Sequence, residues 1–271
     1  GIDLLHKVLL RIRPFAKDPC HVQQVYQELL GQWNDAVEGR YGLGRMRELM
    51  GTIADYMSAV EMDASCPRPR VGIVGEIYVR SHPFANMNLI GRLEALGAAC
   101  DLASLAEWVY YTNYTRSRMA KHRRQVRLMI SNKIQNAVQR RMERYLAQPL
   151  EAKFGPLAER PVEHVLELAQ PYMHDSFEGE AILSIGKTVE YHHDGFGGVV
   201  NVMPFGCMPS TIVSSLTRCI SAACGDMPIL NLSFDGQEDP TLTTRLEAFV
   251  EQVRQRQHGG VAVGQVLAAA H

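Results

Sequence analysis

No apolar run in these 271 residues approaches the roughly 20 that a membrane-spanning helix requires, so the sequence predicts a soluble protein. Net charge is almost absent. At a formal -1 the chain has no global field to steer it toward nucleic acid or an anionic membrane, and only local patches can carry an electrostatic argument. Cysteine is sparse: Cys20, Cys66, Cys100, Cys207, Cys219 and Cys224 lack the close repeated spacing of a disulfide framework or a zinc ribbon, which favours a reducing, cytoplasmic setting. Several enzyme fingerprints are missing too. "GIVGEIYV" does not have the GxGxxG spacing of a dinucleotide loop, and neither a GxxxxGKS/T phosphate loop nor a GxSxG nucleophile elbow occurs. The chain opens "GIDLLHKVLL", without an initiator Met and with an apolar stretch too short and too charged for a signal peptide; it reads as an excised piece of something longer.

What is present is ordinary for a globular α/β protein: 46% apolar and 21% charged residues, enough to bury a core without staples. Residues 2 to about 60 carry helical periodicity, with Asp18-Pro19 as N-cap and first helical position and a break at Gly39, Gly42 and Gly44. "DASCPRPR" (63–70) reads as a linker. "VGIVGEIYV" (71–79) is too short for a helix and fits a buried parallel strand; after "RSHPFAN" a helix follows that Asn86 can cap and Gly97 can end. "ACDLASL" is a further strand or edge segment. Met119, Val126, Ile130, Ile134, Val138, Met142 and Tyr145 form one stripe, which predicts a single long helix over 115–148. Shorter helices are expected over 161–169 and 178–190. "GVVNVMPF" with "PSTIVSSLTRCISAAC", and "PILNLSF" with "DPTLTTRLEAFVEQVRQR", then repeat the strand and helix grammar. The alternation implies a Rossmann- or flavodoxin-like parallel sheet flanked by helices. The expected organisation is a helical segment over 1–66, an α/β domain over 67–256 containing the long helix, and a loose Gly-rich tail over 257–271.

In such sheets ligands collect at the carboxyl ends of the strands, and Cys207 falls between a strand end and a helix start. The open N–H groups of a helix start favour an anion such as a thiolate, so Cys207 is either a functional thiol or a small residue that fits a Gly-Cys-Met-Pro turn. His82 and Asn86, in the first strand-to-helix loop, are candidate contacts to a substrate or partner. Glu76 is a functional carboxylate or a solvated one at the sheet's end. Cys219 shares a helical face with Ile212, Val213, Leu216 and Ile220 and reads as a buried small hydrophobe. His192-His193 lacks a second ligand cluster at recognisable spacing, and a turn explains the glycines after it. From Arg116 to Arg144 basic residues, among them Arg123, Arg124 and Arg127, face only Glu143 in opposition. Base-reading positions are missing, so nucleic acid is not the expected partner; a solvated face, or a dock for an acidic protein or a CoA-type phosphate, is.

Taken together, "VGIVGEIYVRSHPFANMNLIGRLEALGA", "LAEWVYYTNY", "GGVVNVMPFGCMPSTI" and "PILNLSFDGQEDPTLTTRLEAFVEQV" resemble the C-terminal part of the activase-related iron-sulfur proteins of 2-hydroxyacyl-CoA dehydratase systems, also called CoA-substrate-specific enzyme activases. The resemblance runs from about residue 71 to 256. It implies a cytoplasmic electron-transfer protein related to the cluster-bearing dehydratase subunits, in which cysteines hold a 4Fe-4S or double-cubane cluster and an ATPase domain, fused or separate, drives low-potential electron transfer. Cys207 in "FGCMPS" matches a cluster cysteine of that family, which makes it the expected metal ligand. The remaining ligands and the ATPase motifs are expected outside this chain, so the fragment by itself is expected to bind no complete cluster and to be inactive. Homodimers are among the expected assemblies. The alternative is a non-catalytic module that binds acyl-CoA or an acidic partner protein through its basic helix.

Overall fold

A computed structural model describes residues 1–63 and 67–268, with side chains through residue 257. In chain order the helices and strands are α1 (Ile2–Ile12), α2 (Pro19–Glu38), α3 (Leu43–Ser58), β1 (Arg70–Gly75), α4 (Ile77–Ser81), α5 (Leu89–Ala95), β2 (Ala99–Leu102), α6 (Leu105–His122), α7 (Val126–Phe154), α8 (Val162–Ala169), α9 (Glu180–His193), β3 (Gly198–Pro204), α10 (Met208–Ala223), β4 (Ile229–Phe234) and α11 (Leu242–Ala268). They form two units, one comprising Gly1–Cys66 with Ser104–Val162, the other Pro67–Ala103 with Glu163–His271. The segment from Ser104 to Val162, read from sequence as part of the α/β domain, groups with the N-terminal helices.

The first unit is all helical. Asp18 caps α2 by accepting a hydrogen bond from the His21 N–H at 2.9 Å, and Pro19 follows at the first helical position, where its missing N–H is harmless. One apolar cluster joins Leu5, Leu9, Trp33, Met50 and Ile53 of the first three helices to Leu146 and Leu150 of α7. That docking explains the domain assignment. It also requires the chain to reverse, and the single helix expected over 115–148 is in fact two. Arg124 adopts φ +51°, and the Gln125 N–H bonds back to the Ala120 carbonyl at 2.9 Å, closing a left-handed helix end without glycine. Met119 and Val126 lie one heptad apart on either side, which is why the periodicity looks unbroken. Between the antiparallel helices the Tyr110 hydroxyl donates to Glu143 at 2.7 Å, while burial and that carboxylate hold the phenol above its usual titration range.

The second unit is an α/β Rossmann/flavodoxin-like fold. Its parallel sheet runs β2-β1-β3-β4, with Val71 opposite Gly198 and Val199 opposite Ile229. β1 and β3, buried almost end to end, read as continuous β-branched runs because helices cover both faces. α9 packs on β1 and β3 and against α10, whereas α11 packs with α5. The strand expected to reach Val79 stops at Gly75, where φ is +115° and Glu76 turns the chain into α4. Where a loose tail is expected from 257, the backbone of α11 stays helical through Ala268; side chains from 258 and residues 269–271 lie outside the described residues, as do residues 64–66 of the expected linker. No helix among the described residues is long and apolar enough to cross a membrane.

Candidate functional site at the carboxyl edge of the sheet

In the order β2-β1-β3-β4 the chain leaves β1 toward one side and β3 toward the other, so the strand order reverses between them. In open parallel sheets ligands bind at such a switch point, beyond the carboxyl ends of the strands. The loops after β1 and β3 border it, and the sequence places its candidates there: His82 after β1 and Cys207 after β3. Gly75 brings the two strand ends unusually close, since a Cβ on it would lie 1.9 Å from the Val202 carbonyl oxygen.

The β3 corner is a tight turn from Pro204 to Cys207. The Cys207 N–H bonds the Pro204 carbonyl at 3.2 Å, and Gly206, at φ +75°, supplies the left-handed third position of a type II turn. Cys207 is then the N-cap of α10, half-buried, and makes no side-chain cap hydrogen bond; Pro209 in the first turn and the Thr211 hydroxyl, 2.8 Å from the Cys207 carbonyl, fix the helix start. The corner is flanked by bare apolar side chains, Phe205 at 80% exposure and Met208 at 72%.

The β1 corner has a different chemistry. Glu76 accepts from the N–H groups of Tyr78 (3.1 Å) and Val79 (2.7 Å), which makes its carboxylate the cap of α4. Arg80 is buried and donates to the Gly75 carbonyl at 3.0 Å. Glu180, at the start of α9, reaches the same place: burial first, then repulsion from Glu76, raises its pKa, while the Arg80 charge and a bond from the Ile77 N–H act the other way. Sequence reasoning misses Arg80 and Glu180, because no local pattern announces that the start of α9 returns to β1. His82 is exposed and stacks on Tyr78 with centroids 5.0 Å apart, its Nδ1 accepting from the Ala85 N–H at 3.4 Å. That leaves Nε2–H for an outside acceptor. Phe84, edge-on to His82, is 89% exposed.

Asn86 does not join the site. At 3% exposure its amide donates to the Val79 and Arg80 carbonyls (2.8 and 3.2 Å) and accepts from the Leu89 N–H at 3.1 Å, so it clasps the loop from inside. The helix cap expected of it is made, three residues before α5's first N–H rather than at the Asn88 position. Cys219 is exposed, not buried: α10 buries Ser210, Val213, Ile220 and its cap Cys224, and Cys219 falls one residue off that face. Cys224 takes the buried place, where desolvation pushes its thiol up. His192 and His193 end α9 just before β3 begins, at the amino edge of the sheet. Burial and the charge of Arg256 lower the pKa of His192. Arg123, Arg124 and Arg127 lie in the helical unit, at the turn between α6 and α7.

No family model, curated protein or solved structure matches this chain. The assignment of chemistry therefore rests on the residues. A four-iron cluster needs four protein ligands, usually thiolates. Among the described residues no three His, Cys, Asp or Glu side chains stand together as a metal site, and Cys207 offers one donor. The corner does not fit a complete cluster site. What it offers is a lone thiol on one side and, on the other, a carboxylate pair beside Arg80, with an apolar rim.

Proposed function

We propose that the α/β unit is the supporting half of a composite redox site, in a cytoplasmic activase or reductase of the 2-hydroxyacyl-CoA dehydratase type, and that Cys207 supplies a single thiolate to an iron-sulfur cluster whose other ligands come from elsewhere. The resemblance of the strand and corner segments supports the chemistry. The observation that carries the reading is the position of Cys207: half-exposed, uncommitted at the N-cap of α10, and at the end of a central strand beside the switch point. The exposed Phe205 and Met208 support a covering domain, which would exclude water from the thiolate. Within this reading an ATPase domain, fused or separate, is the energetic partner.

The test is anaerobic isolation of the protein as its own cells make it, wild type and Cys207→Ala, with iron and acid-labile sulfide assays and EPR of the dithionite-reduced form. Loss of about one ligand should lower iron occupancy and change the EPR signal of Cys207→Ala, with folding by circular dichroism unchanged. A wild-type cluster signal in Cys207→Ala, or a wild type without iron and sulfide, would refute the assignment.

A further inference from the structure

Towards its turn, the hairpin of α6 and α7 has a polar interior and an apolar exterior. Between its helices lie polar side chains: Asn113 and Asn132 are buried, the Asn113 amide donates to Gln139 at 2.6 Å, and buried Asn132 Nδ2 and Asn136 Oδ1 have no partner. Its outer surface carries a row of apolar residues. Val126, Ile130, Ile134, Val138 and Met142 recur every fourth position along α7, with Val126 at 63% and Ile134 at 59% exposure. From first to last this ridge spans ~24 Å at 1.5 Å per residue. Five large apolar side chains in a row on the surface, over a polar interior, mark a face that another element covers.

The charges decide the occupant. Arg127, Ile134 and Arg141 are spaced by heptads and so share one line along the helix, and Lys133 and Arg144 are further exposed cations on the same helix. Glu143 is the only acidic residue from 116 to 144, and it is turned inward to Tyr110. A second copy of the chain would set arginine against arginine. A lipid surface would draw Arg127 and Arg141 into hydrocarbon along the very line that has to be buried, whereas interfacial helices keep their cations on the opposite face or its margins. An amphipathic helix whose apolar residues cover Ile130, Ile134 and Val138, and whose glutamates reach Arg127 and Arg141 at the two ends of that stretch, meets both demands, burying the ridge and pairing the arginines.

We infer that the outer face of the α7 helix docks an acidic amphipathic helix of a partner protein. This inference stands independently of the cluster reading, because it concerns the helical unit and no cysteine. The probe is a synthetic helical peptide with leucine at the heptad seam and glutamate at the flanking positions, compared with the same peptide carrying lysine, by fluorescence anisotropy against the full chain. The glutamate peptide should bind with a micromolar Kd at 50 mM salt and weaken about tenfold by 300 mM. Ile134→Ser should weaken it about tenfold, and Arg127→Glu with Arg141→Glu should reverse the preference to the lysine peptide; both positions are exposed, and circular dichroism checks that the variants fold. Equal binding of the two peptides, or indifference to Ile134→Ser, overturns the proposal. So does binding of the chain to phosphatidylserine vesicles that Ile134→Ser abolishes while the peptide stays unbound, and so does a sedimenting dimer that Ile134→Ser dissociates.

Discussion

Gly75 ends β1 and Gly206 sits in the turn after β3, and replacing each by alanine separates two effects that glycine can hide. Gly75 has φ +115°, a conformation that costs a side chain about 1–3 kcal/mol. Its added Cβ would also lie 1.9 Å from the Val202 carbonyl oxygen and 2.7 Å from the Val202 nitrogen, both backbone atoms of the central strand, which cannot step aside. The strands must part, and the Glu76 N–H to Val202 carbonyl bond of 3.0 Å goes with them, at about 1–3 kcal/mol for a buried group left unpaired. The expected loss is about 3–5 kcal/mol, a large fraction of a domain's stability. Gly206 is the control: φ is +75°, but an added Cβ meets nothing within 4 Å, so only the left-handed backbone is penalised, by about 1–2 kcal/mol. Tryptophan fluorescence is the wrong probe, since Trp33 and Trp108 both belong to the helical unit. Urea-dependent hydrogen exchange of the peptide covering β3, read by mass spectrometry, reports the sheet directly. If Gly75→Ala were no more destabilising there than Gly206→Ala, the close approach of β1 to β3, and with it the geometry of the switch point, would be wrong.

Brief iodoacetamide treatment of the native protein should modify Cys207 and Cys219 while Cys100 and Cys224 stay protected until urea unfolds the sheet; early labelling of Cys224, read by peptide mass spectrometry, would contradict its placement on the buried face of α10. Glu180 gives a pH test. Its folded pKa is raised, by burial and then by Glu76, so the native state holds its proton more tightly than the unfolded chain, and stability falls as pH climbs from the unfolded pKa through the folded one. Glu180→Gln should therefore raise the urea midpoint at pH 7 and leave it nearly unchanged at pH 4, and a gain of equal size at both pH values would remove the electrostatic explanation.

Much of the fold follows from local pattern. The β-branched runs "VGIV" and "VVNV", too short for helices, become β1 and β3, and the Asp18-Pro19 pair starts α2 where backbone satisfaction demands it. The corner holding Cys207 is legible for the same reason: Gly206 and Pro209 prescribe a turn and a helix start within a few residues. The hairpin is not legible, because Arg124 takes the left-handed position without the glycine that normally signals it, and the stripe through Met119 and Val126 keeps its period across the turn. Cys219 misses the buried face that its spacing predicts because a shift of one residue around the helix is decided by how the helix rolls on the sheet, and α10 rolls to bury Val213, Ile220 and Cys224.

By itself the sequence determined what depends on neighbours in the chain: the elements, their caps, the alternation that demands a parallel sheet, and the turn that presents Cys207. Tertiary structure alone decided what depends on distant residues meeting. It carried Glu180 back to Arg80, enclosed Asn86 among the carbonyls of its own loop, and gave the segment from Ser104 to the N-terminal helices because Leu146 and Leu150 complete their core. It also turned the apolar stripe of α7 outward. Periodicity says only that such residues share a face; which face is buried is settled by packing.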